Sequence, residues 1–582
     1  MQTFEAARKC LKNSLEKSSA IACALNDSGS RLELLNQRCQ SLELCSFADI
    51  GESLDSVLCS AAAVLKVFDA VHQLENSLSI DPSSDLYAYI SDTKKLEEAL
   101  VLLSDNCRLS LGWLQDIVEF LQDKAIINEL YTSSAGKSLK ILQELQAMKE
   151  GARLDGGLLS AAFEKLEIEF RRLLIANAML LPLASLESST GQQVNAPLLP
   201  GTVIGKLKAI VERLSANDRL HNCKSIYVEV RSTNARTSLK PLDLSYLEIP
   251  TVEFDDTHCM ESYIERWGRH LELAVRHLLE VEYRLCSSVF EKIGPEAWIG
   301  CFANIAIESG ILSFLQFAKR ITESKSDPIK LLKLLDIFRV LNDLRLNFNR
   351  LFSGKACEEI RNVTKDLIKR VVDGACEIFW ELPAQVKLQR PSSPPRDGSV
   401  PRLVSFVTDY CNQLLSDAYR PHLTQVLEIH LNWRKEIYQE GIIFTQVYNI
   451  VKEIAVNLDT WSKAYEDIPL SYLFMMNNHC HFYNLRGTVV GRMMGDSWLR
   501  AHEQYKEYYA ALYLRESWGK LLPILNQRDL LSSSGGRLTV TVQDLVKRLD
   551  AFNLVFDERY KKQSNWVISD EILREKERKH LA

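Results

Sequence analysis

Glycine and proline are scarce in this chain, at 24 and 16 of its 582 residues, against average usages of about 7% and about 5%. The residues that punctuate helices are therefore depleted. Leu, Glu, Lys, Arg and Ala, which favour helices, are abundant. Global disorder is excluded, because 46% of the residues are apolar and can build a core. A length of 582 residues accommodates roughly three or four ordinary domains, or one extended stack of helical units.

An excess of positive charge is also missing. The net charge is −6 and the pI about 6.1. That argues against a nucleic-acid partner, which needs a basic face to release counterions. A local basic patch on an acidic body is still allowed. None of the 14 cysteines falls in a C-x-x-C pair. Cys39, Cys286 and Cys376 sit singly at apolar helical positions, as small buried hydrophobes do. This usage points to a reducing compartment and no disulfide framework. The start, MQTFEAARKCLKNSLEKS, carries charges throughout and lacks the apolar stretch of a signal peptide. The longest apolar run, LLIANAMLLPLASL, contains Asn177, is broken by Pro182 and is too short to span a bilayer. Membrane contact is therefore expected to be peripheral, without a transmembrane segment.

Catalytic and metal motifs are absent as well. The string AGKS at 135–138 resembles the end of a nucleotide-binding loop, but Tyr131 stands where that loop needs glycine. Without the Gly-rich turn, backbone amides do not cradle phosphates. His479-Cys480-His481 is the only tight His/Cys cluster. Neighbouring helical positions point about 100° apart, and no second pair is visible to complete a tetrahedral zinc site. No G-x-S-x-G, H-E-x-x-H or EF-hand loop occurs. The expectation is a non-enzymatic protein with no catalytic, cofactor-binding or metal residues.

What is present is helical patterning. Residues 1–75 carry a weak heptad through Phe4, Leu11, Leu25, Leu32 and Cys39, with Ile21, Leu35 and Leu42 as partner positions. Ser14, Ser18 and Ser28 interrupt it, so a helical hairpin and coiled-coil pairing are both open. Asp81-Pro82 and Asp327-Pro328 each read as an N-cap followed by proline at the first helical position. After the second, Ile329, Leu332, Leu335, Phe338, Leu341 and Leu344 keep helical spacing to about Phe352, which implies one helix roughly 35 Å long. IYVEV at 226–230 is the best strand candidate, but its context is helical. Three stretches break the pattern: 184–205, the Pro- and Ser-rich QRPSSPPRDGSV at 389–400, and LSSSGGRLTV at 531–540. The first two are expected to be surface loops of low order. No fixed-period repeat is found. Lys365, Lys369 and Arg370 share a helix face with Arg361, and Lys561-Lys562 and 574–579 are further basic stretches. Such runs are usually solvated faces, although basic helices also meet anionic lipid.

Five strings occur in an order that resembles one family. They are ERWGRHLELAVRHLLEVEYRLC (265–286), KLLKLLDIFRVLNDLRLNFNRLFSG (330–354), SYLFMMNNHCHFYNL (471–485), GDSWLRAHEQYKEYYAALYLRESWGKLL (495–522) and AFNLVFDERYKKQSNWVISDEILRE (551–575). AARKCLKNSLEKSSAIACAL and FEKLEIEFRRLL (163–174) add to them. Together they are similar to the seventy-kilodalton subunit of the exocyst complex, in its plant-type branch. The resemblance implies an all-α fold, an elongated rod of consecutive antiparallel helical bundles. The breaks at 184–205 and 389–400 divide the chain into an N-terminal bundle of hairpins or coiled-coil-like helices over 1–183, a linker at 184–205, middle bundles over 206–388, the 389–400 loop and a C-terminal bundle over 401–582 that is incomplete beside the family's. The implied function is tethering of secretory vesicles to the plasma membrane in exocytosis. The implied partners are other exocyst subunits, phosphatidylinositol 4,5-bisphosphate and, for some members, Rho-type GTPases. The implied location is cytoplasmic, peripheral at the plasma membrane. A scaffold or adaptor of another trafficking complex is the alternative.

Trp267, Tyr472, Leu473, Phe474, Trp498, Tyr505, Trp518 and Trp566 read as bundle core, and Asn477 and Asn478 as bonds between helices. In the family the chain continues past QSNWVISD, and the basic lipid-binding cluster lies in that continuation. It would fall after Ala582, so no lipid-binding residue carries over. The same argument expects Leu545, Leu549, Phe552, Val555, Phe556 and Tyr560 to present an uncovered apolar face.

Overall fold

The computed structural model describes residues 73–74, 76–99, 157–187, 199–250, 257–325, 327–525 and 542–569, with isolated positions at 115–116, 119, 139–140, 143, 571 and 574–575. The heptad within 1–75, the AGKS string, the 531–540 stretch and the basic residues 576–579 lie outside the described residues, apart from two heptad-end positions. Among the described residues every regular element is helical, and there is no strand.

The longer helices are α1 (86–99), α2 (Gly157–Ala176), α3 (Gly201–Ser215), α4 (Leu220–Leu239), α5 (Thr257–Leu273) and α6 (Glu280–Val289). They continue as α7 (Pro295–Glu308), α8 (Ile311–Glu323), α9 (Pro328–Asp343), α10 (Arg345–Leu351), α11 (Glu358–Leu388) and α12 (Arg402–Leu414). The series ends with α13 (Arg420–Trp433), α14 (Ile442–Ser462), α15 (Ile468–Tyr483), α16 (Val489–Met494), α17 (Asp496–Ser517) and α18 (Val542–Gln563). A π turn, Ala274–Leu279, joins α5 to α6.

Local chemistry sets several of these boundaries. The Asp327 carboxylate accepts the Lys330 amide at 2.8 Å, with Pro328 in the first turn, so this start is as the sequence reads. Asp81-Pro82 is different. Asp81 Oδ1 accepts the Ser83 amide at 2.9 Å in a turn, and the helix starts only at 86. There Asp85 Oδ1 takes the Ala88 amide at 3.1 Å, so the cap lies four residues downstream of the expected one. The helix expected to run to Phe352 is also interrupted. Leu344 adopts φ −91° and ψ −3° and closes α9 before α10 begins. Buried apolar positions continue through Leu344, Phe348 and Leu351, so periodicity alone does not register the corner. IYVEV lies inside α4. The 184–205 stretch contains a short helix, Leu183–Glu187, and its end belongs to α3, which opens at Gly201 behind Pro200.

The chain divides into two compact units. One comprises 1–242, 276–310 and 351–358. Its core holds Phe170, Tyr227, Phe290, Phe302 and Phe352, with Tyr227 set edge-on to Phe290 at 5.1 Å. Arg231 on α4 meets Glu282 on α6 through two bonds, of 3.0 and 2.5 Å, with both side chains buried. Burial opposes the Arg231 charge, but the Glu282 carboxylate outweighs it and raises the guanidinium pKa. Removing one member would strand the other charge, at a cost of about 3–5 kcal/mol.

The other unit comprises 243–275, 311–350 and 359–582. Trp267 is fully buried and donates its indole N–H to the Phe314 carbonyl at 2.9 Å. Gly268 lets α5 approach α9, because a Cβ there would lie 2.8 Å from Val340 Cγ2. The 31-residue α11 contains Pro383. Proline cannot donate to the carbonyl four residues earlier, which is that of Phe379. Gln446 on α14 supplies the missing donor: its buried Nε2 bonds the Phe379 and Trp380 carbonyls, each at 3.1 Å.

Gln446→Ala should therefore destabilise this unit by about 1–3 kcal/mol, the cost of an unpaired buried carbonyl. Adding Pro383→Ala should recover part of the loss by restoring a backbone donor. Denaturant unfolding of the single and double variants checks this, and strictly additive losses would sink it.

Candidate interaction surfaces

Asn477 on α15 is fully buried and bonds three backbone groups. Its Nδ2 donates to the Gly398 and Val567 carbonyls, each at 2.7 Å, and its Oδ1 accepts the Ser569 amide at 3.0 Å. The Val567 amide donates to the Asp397 carbonyl at 3.0 Å. The 395–398 and 567–569 segments are thus held to each other and to α15. Gly398 is required twice over: its φ is +70°, and a Cβ would stand 3.0 Å from Leu470 Cδ1. On the other side, Gln563 accepts the Tyr513 hydroxyl at 3.0 Å and donates to Ser517 Oγ at 3.1 Å. Trp566 and Ile568 pack on the cluster of Leu470, Leu473, Met476 and Tyr513.

The 389–400 stretch is therefore a loop, but not one of low order. The Trp461 indole donates to the Arg390 carbonyl at 3.0 Å, and the Tyr465 hydroxyl to the Pro395 carbonyl at 2.5 Å. The Arg390 guanidinium binds Glu453 at 2.6 Å and Asn457 at 2.9 Å. Composition reports how little a Ser/Pro segment buries of its own side chains. It does not report that its carbonyls can serve as acceptors for aromatic and amide donors on α14 and α15. Asn477 bonds loop backbone rather than another helix. Asn478 donates to the Phe474 carbonyl of its own helix at 2.8 Å.

The His479-Cys480-His481 cluster diverges. His479 Nδ1 meets His502 Nδ1 of α17 at 2.8 Å, and the ring lies between Tyr505 and Tyr509 at 5.1 and 5.5 Å. His481 Nε2 meets Thr408 Oγ1 of α12 at 3.0 Å, while Cys480 belongs to the apolar cluster. Burial holds His479 down at about 3, helped by His502, and His502 at about 4. Both rings are neutral at neutral pH and pair α15 with α17. Seven described cysteines, Cys286 and Cys376 among them, are buried and outside any disulfide. Burial pushes the Cys376 and Cys411 thiols up to about 12, so they are poor nucleophiles.

The basic patches are partly neutralised. Arg370 binds Asp366 at 2.9 Å and Glu323 at 3.5 Å, and Lys319 lies 3.7 Å from Asp366. Lys562 binds Asp467 at 2.5 Å, and Arg574 donates to the Ile568 carbonyl at 2.9 Å. Lys365, Lys369 and Lys561 are exposed without an ion-pair partner among the described residues. On α18, Leu545, Leu549, Leu554 and Tyr560 are 46–73% exposed, whereas Phe552 and Val555 are half-buried. No single helix among the described residues is long and apolar enough to cross a membrane.

The family model for the C-terminal region of the Exo70 exocyst complex subunit matches residues 265–582, more than half of the chain. The chain belongs to the Exo70 family of exocyst subunits. The Exo70 N-terminal model matches residues 57–176. The chain is 26% identical to exocyst complex component EXO70A1 of Arabidopsis thaliana, over 97% of this chain and 88% of that one. It is 28% identical to EXO70I of Medicago truncatula, over 84% and 74% respectively. Among solved structures, yeast Exo70 aligns over 89% of this chain and 91% of that one, with 14% identity and a TM-score of 0.46. The family is non-enzymatic.

All five strings that carry the resemblance fall, in whole or in part, on helices of the 243–275, 311–350 and 359–582 unit. Trp267, Leu473 and Phe474 are buried as read, Tyr472, Trp498, Trp518 and Trp566 are partly buried, and Tyr505 is 53% exposed. Sequence reading missed the roles of Asn477, Gln446 and Gln563. Asn477, directly after the apolar-rich stretch YLFMM (472–476), was the available signal.

Asn477→Ala should leave two carbonyls and one amide without their partner, costing about 2–3 kcal/mol. Hydrogen exchange should quicken at the Ser569 amide first, and unchanged protection there would contradict the clamp. The histidine pair gives a pH dependence. Both folded pKa values lie below the ordinary 6.5, so the unfolded chain protonates first. Stability is complete above about pH 6.5 and falls toward pH 4, by about 3 kcal/mol for His502. His502→Gln should flatten that slope in unfolding measured across this range.

Proposed function

We propose that this chain tethers secretory vesicles to the plasma membrane by assembling with other exocyst subunits. The reading is carried by the family matches at both ends, residues 57–176 and 265–582, which together point to an exocyst subunit rather than an isolated helical module. The helical units fit such a role. Their polar groups, as in Asn477 and Gln446, are committed to internal bonds, and His479 and His502 pair α15 with α17. Contact with Rho-type GTPases belongs to the same reading.

The membrane contribution is diffuse. Arg370 and Lys562 spend their charge on neighbouring carboxylates, which leaves Lys365, Lys369 and Lys561 facing solvent. Each adds about 1 kcal/mol near an anionic surface, screened over a Debye length of about 8 Å.

Affinity capture of the tagged full chain from its own cells should bring down the other exocyst subunits. Capture of a different trafficking complex in their place would refute the assignment. Vesicles containing phosphatidylinositol 4,5-bisphosphate should bind the chain weakly at physiological salt, and less as salt rises. Tight, salt-resistant binding would show that a dedicated headgroup site exists.

A further inference from the structure

Of the 16 prolines, only Pro394 follows a serine, and none follows a threonine. The chain therefore offers a single Ser/Thr-Pro step, Ser393-Pro394. It lies in the 389–400 loop, where Pro391, Ser392 and Ser393 are all exposed. The Ser393 hydroxyl makes no hydrogen bond among the described residues. Most described hydroxyls on the helices do otherwise, as when Thr408 bonds the Val404 carbonyl at 3.0 Å and Ser471 the Ser462 carbonyl at 2.7 Å. Arg390 stands three residues before Ser393, and Arg396 three residues after it, exposed.

We propose that Ser393 is a phosphorylation site for a proline-directed serine/threonine kinase. In the reaction, Ser393 Oγ attacks the γ-phosphorus of ATP, and an O–P bond forms. The bond from that phosphorus to the β-phosphate bridging oxygen breaks, and ADP leaves. The hydroxyl proton passes to the kinase's catalytic aspartate. The product carries about −1.5 to −2 charges between two arginines.

The loop geometry also says how the site is reached. Kinases bind their substrate segment extended. Here the backbone is fastened at the Arg390 carbonyl by Trp461 and at the Pro395 carbonyl by Tyr465. Between those anchors the Ser392 amide also donates to the Gln389 carbonyl at 3.0 Å. Access therefore goes through local release of the loop, which is a small opening rather than global unfolding. Loss of the Tyr465 anchor should ease it.

The test uses the folded full chain, a purified mitogen-activated protein kinase and ATP, with phosphosites mapped by mass spectrometry. One phosphate should appear, on Ser393. It should be lost in Ser393→Ala and in Pro394→Ala, and kept in Ser392→Ala. Tyr465→Phe should raise the initial rate about fivefold, the factor that one ordinary hydrogen bond represents. Three results would overturn the proposal: no incorporation into the full chain, incorporation that survives Ser393→Ala at the same level, or the same rate with Pro394→Ala. An unchanged rate in Tyr465→Phe would overturn the gating by the loop anchors.

Discussion

The 243–275, 311–350 and 359–582 unit depends on one buried amide. Asn477 presents two donors and an acceptor to three backbone groups that are far apart in sequence: Gly398, Val567 and Ser569. Helices pack through side chains, but an irregular segment lying on a helix must place its peptide groups somewhere. Asn477 gives them partners in an apolar setting. The loop after α11 and the segment after α18 can then lie on α15 without stranding polar atoms. The apolar contacts of Trp566 and Ile568 follow from that placement. A leucine at 477 would supply more apolar area and no place for either segment.

The same logic recurs where a helix is locally imperfect. Pro383 removes a donor inside α11, and Gln446 restores one from α14. Lys330, buried at the start of α9, directs its Nζ to the Thr322 carbonyl at 2.9 Å and to that of Ser324 at 2.5 Å, where α8 ends. Each is a side chain from one helix completing the backbone of another. The apolar core sets which helices neighbour each other, and these polar residues fix their register. The buried Arg231–Glu282 pair does the equivalent for α4 and α6 in the other unit.

Helical class was legible in the sequence because it is local. Scarce Gly and Pro, period-3.6 apolar spacing and the Asp327-Pro328 start each act within a few residues. The corner at Leu344 was not legible, because buried spacing runs through it unbroken. The Asp81 cap was misplaced because Asp85, four residues on, competes for the same task and takes it. The largest misreading was 389–400, where composition describes the side chains but the restraint acts on carbonyls. Among the surface cations, sequence showed where Arg370 and Lys562 stand. It did not show that Glu323 and Asp467, distant in the chain, take up part of their charge.

A loop fastened by its main chain is indifferent to most of its own side chains. Asn477, Tyr465 and Trp461 grip peptide oxygens, which every residue type carries, so the hold would survive wholesale replacement of the loop's outward letters. Gly398, whose geometry admits no side chain, and Arg390, whose guanidinium binds Glu453 and Asn457, are the exceptions. In a family whose members share about a quarter of their residues with this chain, such a design separates two kinds of evolutionary freedom. The residues that grip are narrowly constrained, while the gripped stretch is free to drift, and surface diversity can accumulate there without loosening the helices beneath.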